Sequence, residues 1–142
     1  MANKRKIEIY TDGSGDTLRE LGASAVAIYV DDKLQYEWKA CLTPATNNVA
    51  EMVAVMKAYQ LQQLLPDDDI TVCSDSKYVL ETINGKFKVR TNTRLWKEML
   101  PIVHKCPHIA VKHVKGHNGD AKNNHVDNLA KNHLRQERNK LR

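Results

Sequence analysis

The chain lacks what membrane, secreted and fibrous proteins are built from. No apolar run approaches the ~20 residues that a helix needs to cross a bilayer. The basic start, Met1 to Lys6, leads into Ile7 to Thr11, where apolar residues alternate with charge and leave no signal-peptide core. Six glycines and four prolines are too few for a collagen-like or low-complexity chain. The three cysteines, Cys41, Cys73 and Cys106, are odd in number and widely separated. That pattern gives neither a disulfide framework nor a Cys-x-x-Cys metal knuckle, and it leads us to expect reduced thiols in a cytoplasmic protein. What is plentiful, 42% apolar and 27% charged residues over 142 positions, suits one globular domain covering residues 1–142.

The formal charge of +5 is unevenly distributed. Residues 1–70 carry 7 Lys+Arg against 11 Asp+Glu, whereas residues 71–142 carry 15 against 6 and all six histidines. A second half this basic suits a polyanion such as nucleic acid, or forms a solvated basic surface.

Lys6 to Thr11 alternates and stops at Asp12-Gly13-Ser14-Gly15, which predicts a strand running into a turn. Gly22 to Val30 and Leu34 to Leu42, separated by the turn signal Asp31-Asp32, extend it as an antiparallel hairpin. Asn47-Asn48 offers an N-cap to a helix over 49–65 that Leu65-Pro66 stops. A short strand at Ile70 to Cys73 precedes helices at Ser76 to Ile83 and Thr93 to Val103, the latter with Leu95, Met99 and Ile102 inward and Trp96 in the core. A last strand at Ile109 to Val114, a loop from Gly116 to Asn123 and a polar helix from Asn124 to Leu141 complete the order βββ-α-β-α-α-β-α. This is an α/β chain with a mixed sheet covered by helices.

Four carboxylates fall at element boundaries: Asp12, Glu51, Asp75 and Asp127. Each has an ordinary explanation. Asp12-Gly13 suits a turn, Glu51 suits the N3 position of a capping box begun at Asn48, Asp75 suits an N-cap, and Asp127 suits an i,i+4 pair with Lys131. Together they suggest more. Parallel first and fourth strands lying side by side would bring Asp12 and Asp75 to one sheet edge, crossed by the helix that carries Glu51. Carboxylates so close repel and raise one another's pKa unless a divalent cation sits among them, and oxygen-only ligands favour Mg²⁺ or Mn²⁺ over zinc.

At these residues the sequence resembles the type 1 ribonuclease H family. The matching strings are Tyr10-Thr11-Asp12-Gly13-Ser14, Thr46-Asn47-Asn48-Val49-Ala50-Glu51, Ser74-Asp75-Ser76-Lys77-Tyr78-Val79 and Val114-Lys115-Gly116-His117-Asn118-Gly119, followed by Asn123 and Asp127. They stand in family order over about residues 5–135. The resemblance implies a ribonuclease H-like fold with a five-stranded mixed sheet. It also implies metal-dependent endonucleolytic hydrolysis of the RNA strand of RNA/DNA hybrids, leaving 5′-phosphate and 3′-hydroxyl ends. Asp12, Glu51, Asp75 and Asp127 occupy the positions of the family's metal-binding carboxylates, which hold two Mg²⁺ ions, with Mn²⁺ as a substitute. His117 occupies the position of a loop histidine that helps proton transfer or product release. Asn47 and Asn48 match minor-groove contacts and Thr46 a contact to a DNA phosphate. Recognition is then by shape and 2′-hydroxyls rather than base sequence.

The sequence departs from the family pattern at three places. Asp16-Thr17-Leu18-Arg19-Glu20 replaces a glycine- and proline-rich stretch, and Lys77 stands where many relatives carry a polar amide, exchanging a groove contact for a phosphate contact. The segment from Ile83 to Trp96 lacks an extended basic protrusion, for which Lys86, Lys88 and Arg90 around Phe87 are a reduced substitute or a solvated turn. The expectation is a free-standing monomer with no obligate protein partner, no membrane contact and a salt-sensitive hold on the hybrid. Two alternatives remain open: a catalytically inactive hybrid-binding module, and another phosphoryl-transfer nuclease of the same fold.

Overall fold

The computed structural model describes residues 5–62, 69–115 and 120–141. Its elements are β1 (Lys6–Asp16), β2 (Leu21–Val30), β3 (Lys33–Leu42), α1 (Asn47–Leu61), β4 (Asp69–Ser74), α2 (Lys77–Ile83), α3 (Thr93–His104), β5 (Ala110–His113) and α4 (Ala121–Asn139). The sheet has five strands in the order β3-β2-β1-β4-β5. β1, β2 and β3 are antiparallel neighbours, whereas β4 runs parallel to β1 and β5 parallel to β4.

Strand parity divides the core. Ile7 and Ile9 of β1, with Val26 and Ile28 of β2, join Met52, Val55 and Tyr59 of α1 and Trp96, Met99 and Val103 of α3 in one apolar cluster. Tyr10, Ala25, Ala27 and Tyr29 turn the other way and pack with Val126 and Ala130 of α4. With both sheet faces covered, β2 is buried almost throughout. α4 is fastened to β1 at both ends: Tyr10 Oη donates to Asp120 Oδ2 at 3.3 Å, and Arg138 Nη1 lies 3.3 Å from Asp16 Oδ2. Lys122 adds 2.5 Å ion pairs to Glu8 and Asp32, and its ammonium lies over the Tyr29 ring. These contacts set which turn of α4 lies beside Asp12.

Several local expectations are corrected. β1 does not end at Asp12; it continues to Asp16, with Asp12 opposite Ala25 and Gly13 opposite Ser24, so the β2 ladder satisfies the backbone that a turn would have left open. The cap of α1 is Thr46, whose Oγ1 accepts from the Val49 N–H at 3.1 Å, and Asn47 and Asn48 are already helical. Glu51 is therefore not the N3 member of a capping box. Ser76, not Asp75, caps α2, accepting from the Val79 N–H at 3.2 Å. α4 begins at Ala121 behind Asp120, earlier than Asn124, because the Asp120 carboxylate accepts from the Lys122 and Asn123 N–H groups. The stop at Leu65-Pro66 lies outside the described residues. In α3 the buried stripe is Trp96, Met99 and Val103, with Leu95 and Ile102 half-buried beside it.

Trp96 is 1% exposed, its Nε1–H donates to Tyr78 Oη at 2.9 Å, and the two rings meet edge-on with centroids 5.9 Å apart. Trp96→Phe deletes that bond and leaves a void, so it is expected to cost about 2 kcal/mol. A urea midpoint equal to wild type would remove Trp96 from the core account.

Candidate active site

In the parallel pair β1/β4, Thr11 stands opposite Ser74, so the next residues, Asp12 and Asp75, sit side by side. Glu51 comes from α1, which is pressed onto β1 where a side chain would block it. A Cβ on Gly13 would collide with the backbone of Ala50 and Glu51, and one on Gly15 would lie 2.8 Å from Asn47 N. Without those side chains, the Gly13 N–H reaches the Glu51 carboxylate and donates to Oε1. Ser24 Oγ donates to the Ala50 carbonyl at 2.6 Å and ties the same turn of α1 to β2.

The result is a compact group in which one oxygen from each of Asp12, Glu51 and Asp75 lies within 4.8 Å of the others. Asp12 and Glu51 are 3% and 4% exposed. Burial, then the Glu51 charge, pushes the Asp12 carboxyl far above the usual carboxylate range, and hydrogen bonding with Glu51 and Asp127 and the Asp75 charge add to the rise. Burial also raises Glu51, to about 8, against the stabilising bonds from Asp12 and Gly13. Asp12 Oδ2 is buried without a hydrogen-bond partner among the described residues.

Three carboxylates and an orphaned carboxylate oxygen suit a hard divalent cation. Asp127 extends the group, because its carboxyl reaches that of Asp12 while its Oδ2 accepts from Lys131 Nζ at 3.0 Å. These residues, with Gly13, Ser14, Asn47 and Ser76, line an open cleft of about 290 Å³.

All four expected carboxylates thus converge, although Asp127 stands at the margin, shared with a lysine. Of the expected substrate contacts, Asn47 lines the cleft, while Thr46, Asn48 and Lys77 are exposed beside its lining residues in sequence. His117 lies outside the described residues. Lys86, Phe87, Lys88 and Arg90 gather with Tyr78 and Thr91 around a separate open groove of about 450 Å³. Sequence reasoning missed the Gly13 N–H as a donor and Lys131 as part of the cleft wall. The two-residue spacing of Gly13 and Gly15 was a signal for close backbone approach, but it reads equally well as a turn. Cys41, Cys73 and Cys106 are free thiols. No helix among the described residues is long and apolar enough to cross a membrane.

Carboxylates gathered just past the last paired residues of β1 and β4, in an open cleft of an α/β fold, are the equipment of a metal-dependent phosphoryl-transfer enzyme. Residues 4–135 match the RNase H family, and the chain belongs to it. It is 35% identical over 136 residues to Ribonuclease HI of Helicobacter pylori, covering 89% of this chain and 92% of that protein. Among solved structures, it resembles LC11-RNase H1 in complex with an RNA/DNA hybrid, with a TM-score of 0.78, 25% identity and coverage of 92% and 98% of the two chains. RNase H1 of Halobacterium salinarum shares the fold at a TM-score of 0.74 and 23% identity, covering 92% of this chain and 98% of that one.

Proposed function

We propose that this chain hydrolyses the RNA strand of RNA/DNA hybrids, leaving 5′-phosphate and 3′-hydroxyl ends, with Asp12, Glu51, Asp75 and Asp127 holding two Mg²⁺ ions or Mn²⁺ in their place. The observation that carries this reading is the buried convergence of Asp12, Glu51 and Asp75, joined by Asp127, in an open cleft of an RNase H-family chain. The hybrid bound by LC11-RNase H1 supports the substrate. Divalent ions at such a site lower the pKa of the attacking water and neutralise charge on the departing 3′ oxygen.

The protein's own groups do the rest. Asp12, central among these carboxylates, would hold both ions together with Glu51, Asp75 and Asp127. The Gly13 N–H fixes the Glu51 carboxylate, so that this ligand is oriented before metal arrives. Asn47, in the cleft, and Asn48 read the minor groove, and Thr46 and Lys77 meet phosphates. His117 assists proton transfer or product release. Lys86, Lys88 and Arg90 around Phe87 extend the cationic surface along the duplex. Binding by such contacts weakens steeply with salt.

The test follows end-labelled RNA, alone, in an all-RNA duplex and in an RNA/DNA hybrid, with Mg²⁺, Mn²⁺ or EDTA. Cleavage confined to the hybrid, abolished by EDTA and leaving 3′-hydroxyl ends, is expected. Binding of the hybrid without cleavage under any metal condition would make the chain a binding module. Cleavage of the single-stranded RNA or of the all-RNA duplex as readily as of the hybrid would make it another nuclease of this fold.

A further inference from the structure

Lys131 lines the cleft beside the carboxylate group, and the hydrolytic reading assigns it nothing. One turn beyond Asp127 on α4, it sets its Nζ 3.0 Å from Asp127 Oδ2, and both residues line the cleft with Asp12, Glu51 and Asp75. Asp127 is mostly covered and Lys131 half exposed, so the carboxylate is fixed in the wall while the ammonium rides on a flexible stem at its solvent edge. An exposed i,i+4 pair contributes only a few tenths of a kcal/mol to a helix, so stability is a weak reason for it here. Its position is informative. The same Asp127 shares the cleft wall with Asp12 and holds the ammonium, so a second cation taken up by Asp12 and Asp127 must contend with Lys131 for Asp127.

We infer that Lys131 is a positioning residue that acts through Asp127, as a built-in placeholder for the second divalent cation. In the metal-free protein its ammonium draws Asp127 to the margin of the carboxylate group, and cation entry requires its displacement. An ion held by Asp12 and Asp127 would therefore be bound more weakly than one held by Asp12, Glu51 and Asp75, with Lys131 setting the difference. This inference rests on the metal-binding reading of the site. Its sign follows from electrostatics: a positive charge a few ångströms from an incoming divalent ion repels it and occupies one of its ligands.

The experiment is calorimetric titration of the intact protein with Mn²⁺, with free Mn²⁺ counted by its electron paramagnetic resonance signal and no nucleic acid present. Wild type is expected to take up two ions of unequal affinity. Lys131→Met is expected to tighten the weaker site about three- to tenfold and to leave the tighter one within about twofold. Lys131→Arg, which keeps the charge, should bind like wild type. Arg135→Gln removes an exposed charge one turn further along α4 and should change neither site by more than about twofold. A lysine with a merely structural role would shift the melting temperature slightly and leave both affinities alone. Unchanged affinities in Lys131→Met, one ion bound equally by both proteins, or an equal shift in Arg135→Gln would each overturn the placeholder while the metal site stands. Failure of both proteins to bind Mn²⁺ would overturn the metal-binding reading, and the placeholder with it.

Discussion

Asp12→Asn is expected to abolish hydrolysis of the hybrid and, in the same protein, to raise its thermal stability. On the metal-binding reading proposed above, losing this carboxylate removes several kcal/mol of transition-state stabilisation, a fall of ~10³-fold or more in rate. The gain in stability comes from the same atoms. Asp12 is 3% exposed, its Oδ2 has no hydrogen-bond partner among the described residues, and its neighbours Glu51 and Asp75 repel it. A neutral amide of the same shape removes the cost of keeping an ionisable carboxyl buried beside two others, and gives Glu51 a donor. The release is on the order of 2 kcal/mol, which at roughly 3 °C per kcal/mol raises Tm by roughly 6 °C in EDTA. Mg²⁺ should then raise the wild-type Tm, because it binds the folded state alone, and should move the variant much less. Scanning calorimetry of both proteins with and without Mg²⁺ decides the matter. A variant less stable than wild type in EDTA would show that Asp12 is a structural residue rather than a strained metal ligand.

The pH dependence of that difference has a definite sign. Asp12 and Glu51 have folded-state values above their unfolded values of 3.8 and 4.5. Acids shifted upward bind protons more tightly in the folded protein, so the stability they contribute is fully present below pH 4 and is lost as pH rises, through about 8 for Glu51. In EDTA, wild-type Tm should therefore fall between pH 5 and 9 relative to Asp12→Asn, and the two curves should converge toward pH 4. Asp32, held down to about 2 by hydrogen bonds from Lys122 and Lys6, contributes stability that is lost only as pH falls through that value. It is constant across this window.

The order of elements and the convergence of the carboxylates were legible because they rest on patterns that the sequence displays directly. Period-2 alternation at Ile7 and Ile9 and the parallel pairing of the first and fourth strands suffice to bring Asp12 beside Asp75. What was illegible was decided by tertiary contact. Asp12-Gly13 has the chemistry of a turn, and only the approach of α1 and the ladder to β2 make it strand interior. Thr46, Asn47 and Asn48 are all good caps, and the choice of Thr46 depends on where the chain leaves Ala45, which is buried and takes a backbone bond to Glu20. The i,i+4 spacing of Asp127 and Lys131 is enough to pair them, and they do pair. That it forms part of the cleft wall depends on the docking angle of α4, which no local pattern encodes.

Gly13→Ala is expected to be the most disruptive glycine-to-alanine change among the described residues, and its cost falls on geometry before stability. The added Cβ would sit against backbone atoms of Ala50 and Glu51, which cannot swing aside as a side-chain tip would. Either β1 or the first turns of α1 must move, against Ser24 on Ala50 and the packing of the buried Met52 and Val55. Overpacking of this kind costs about 3 kcal/mol. Movement of α1 also withdraws the Glu51 carboxylate from the Gly13 N–H and from Asp12, so divalent-ion affinity and hydrolysis should fall together even where the protein remains folded. Gly85→Ala provides the comparison. Gly85 has φ +80° and nothing within 4 Å of the place its methyl would take, so its cost is backbone strain alone, about 1 kcal/mol, with the site untouched. Urea midpoints and Mn²⁺ titrations on both variants separate the two effects. If Gly13→Ala matches Gly85→Ala in stability and keeps wild-type Mn²⁺ affinity, then α1 can yield without displacing Glu51, and the glycine is not what positions the second carboxylate of the site.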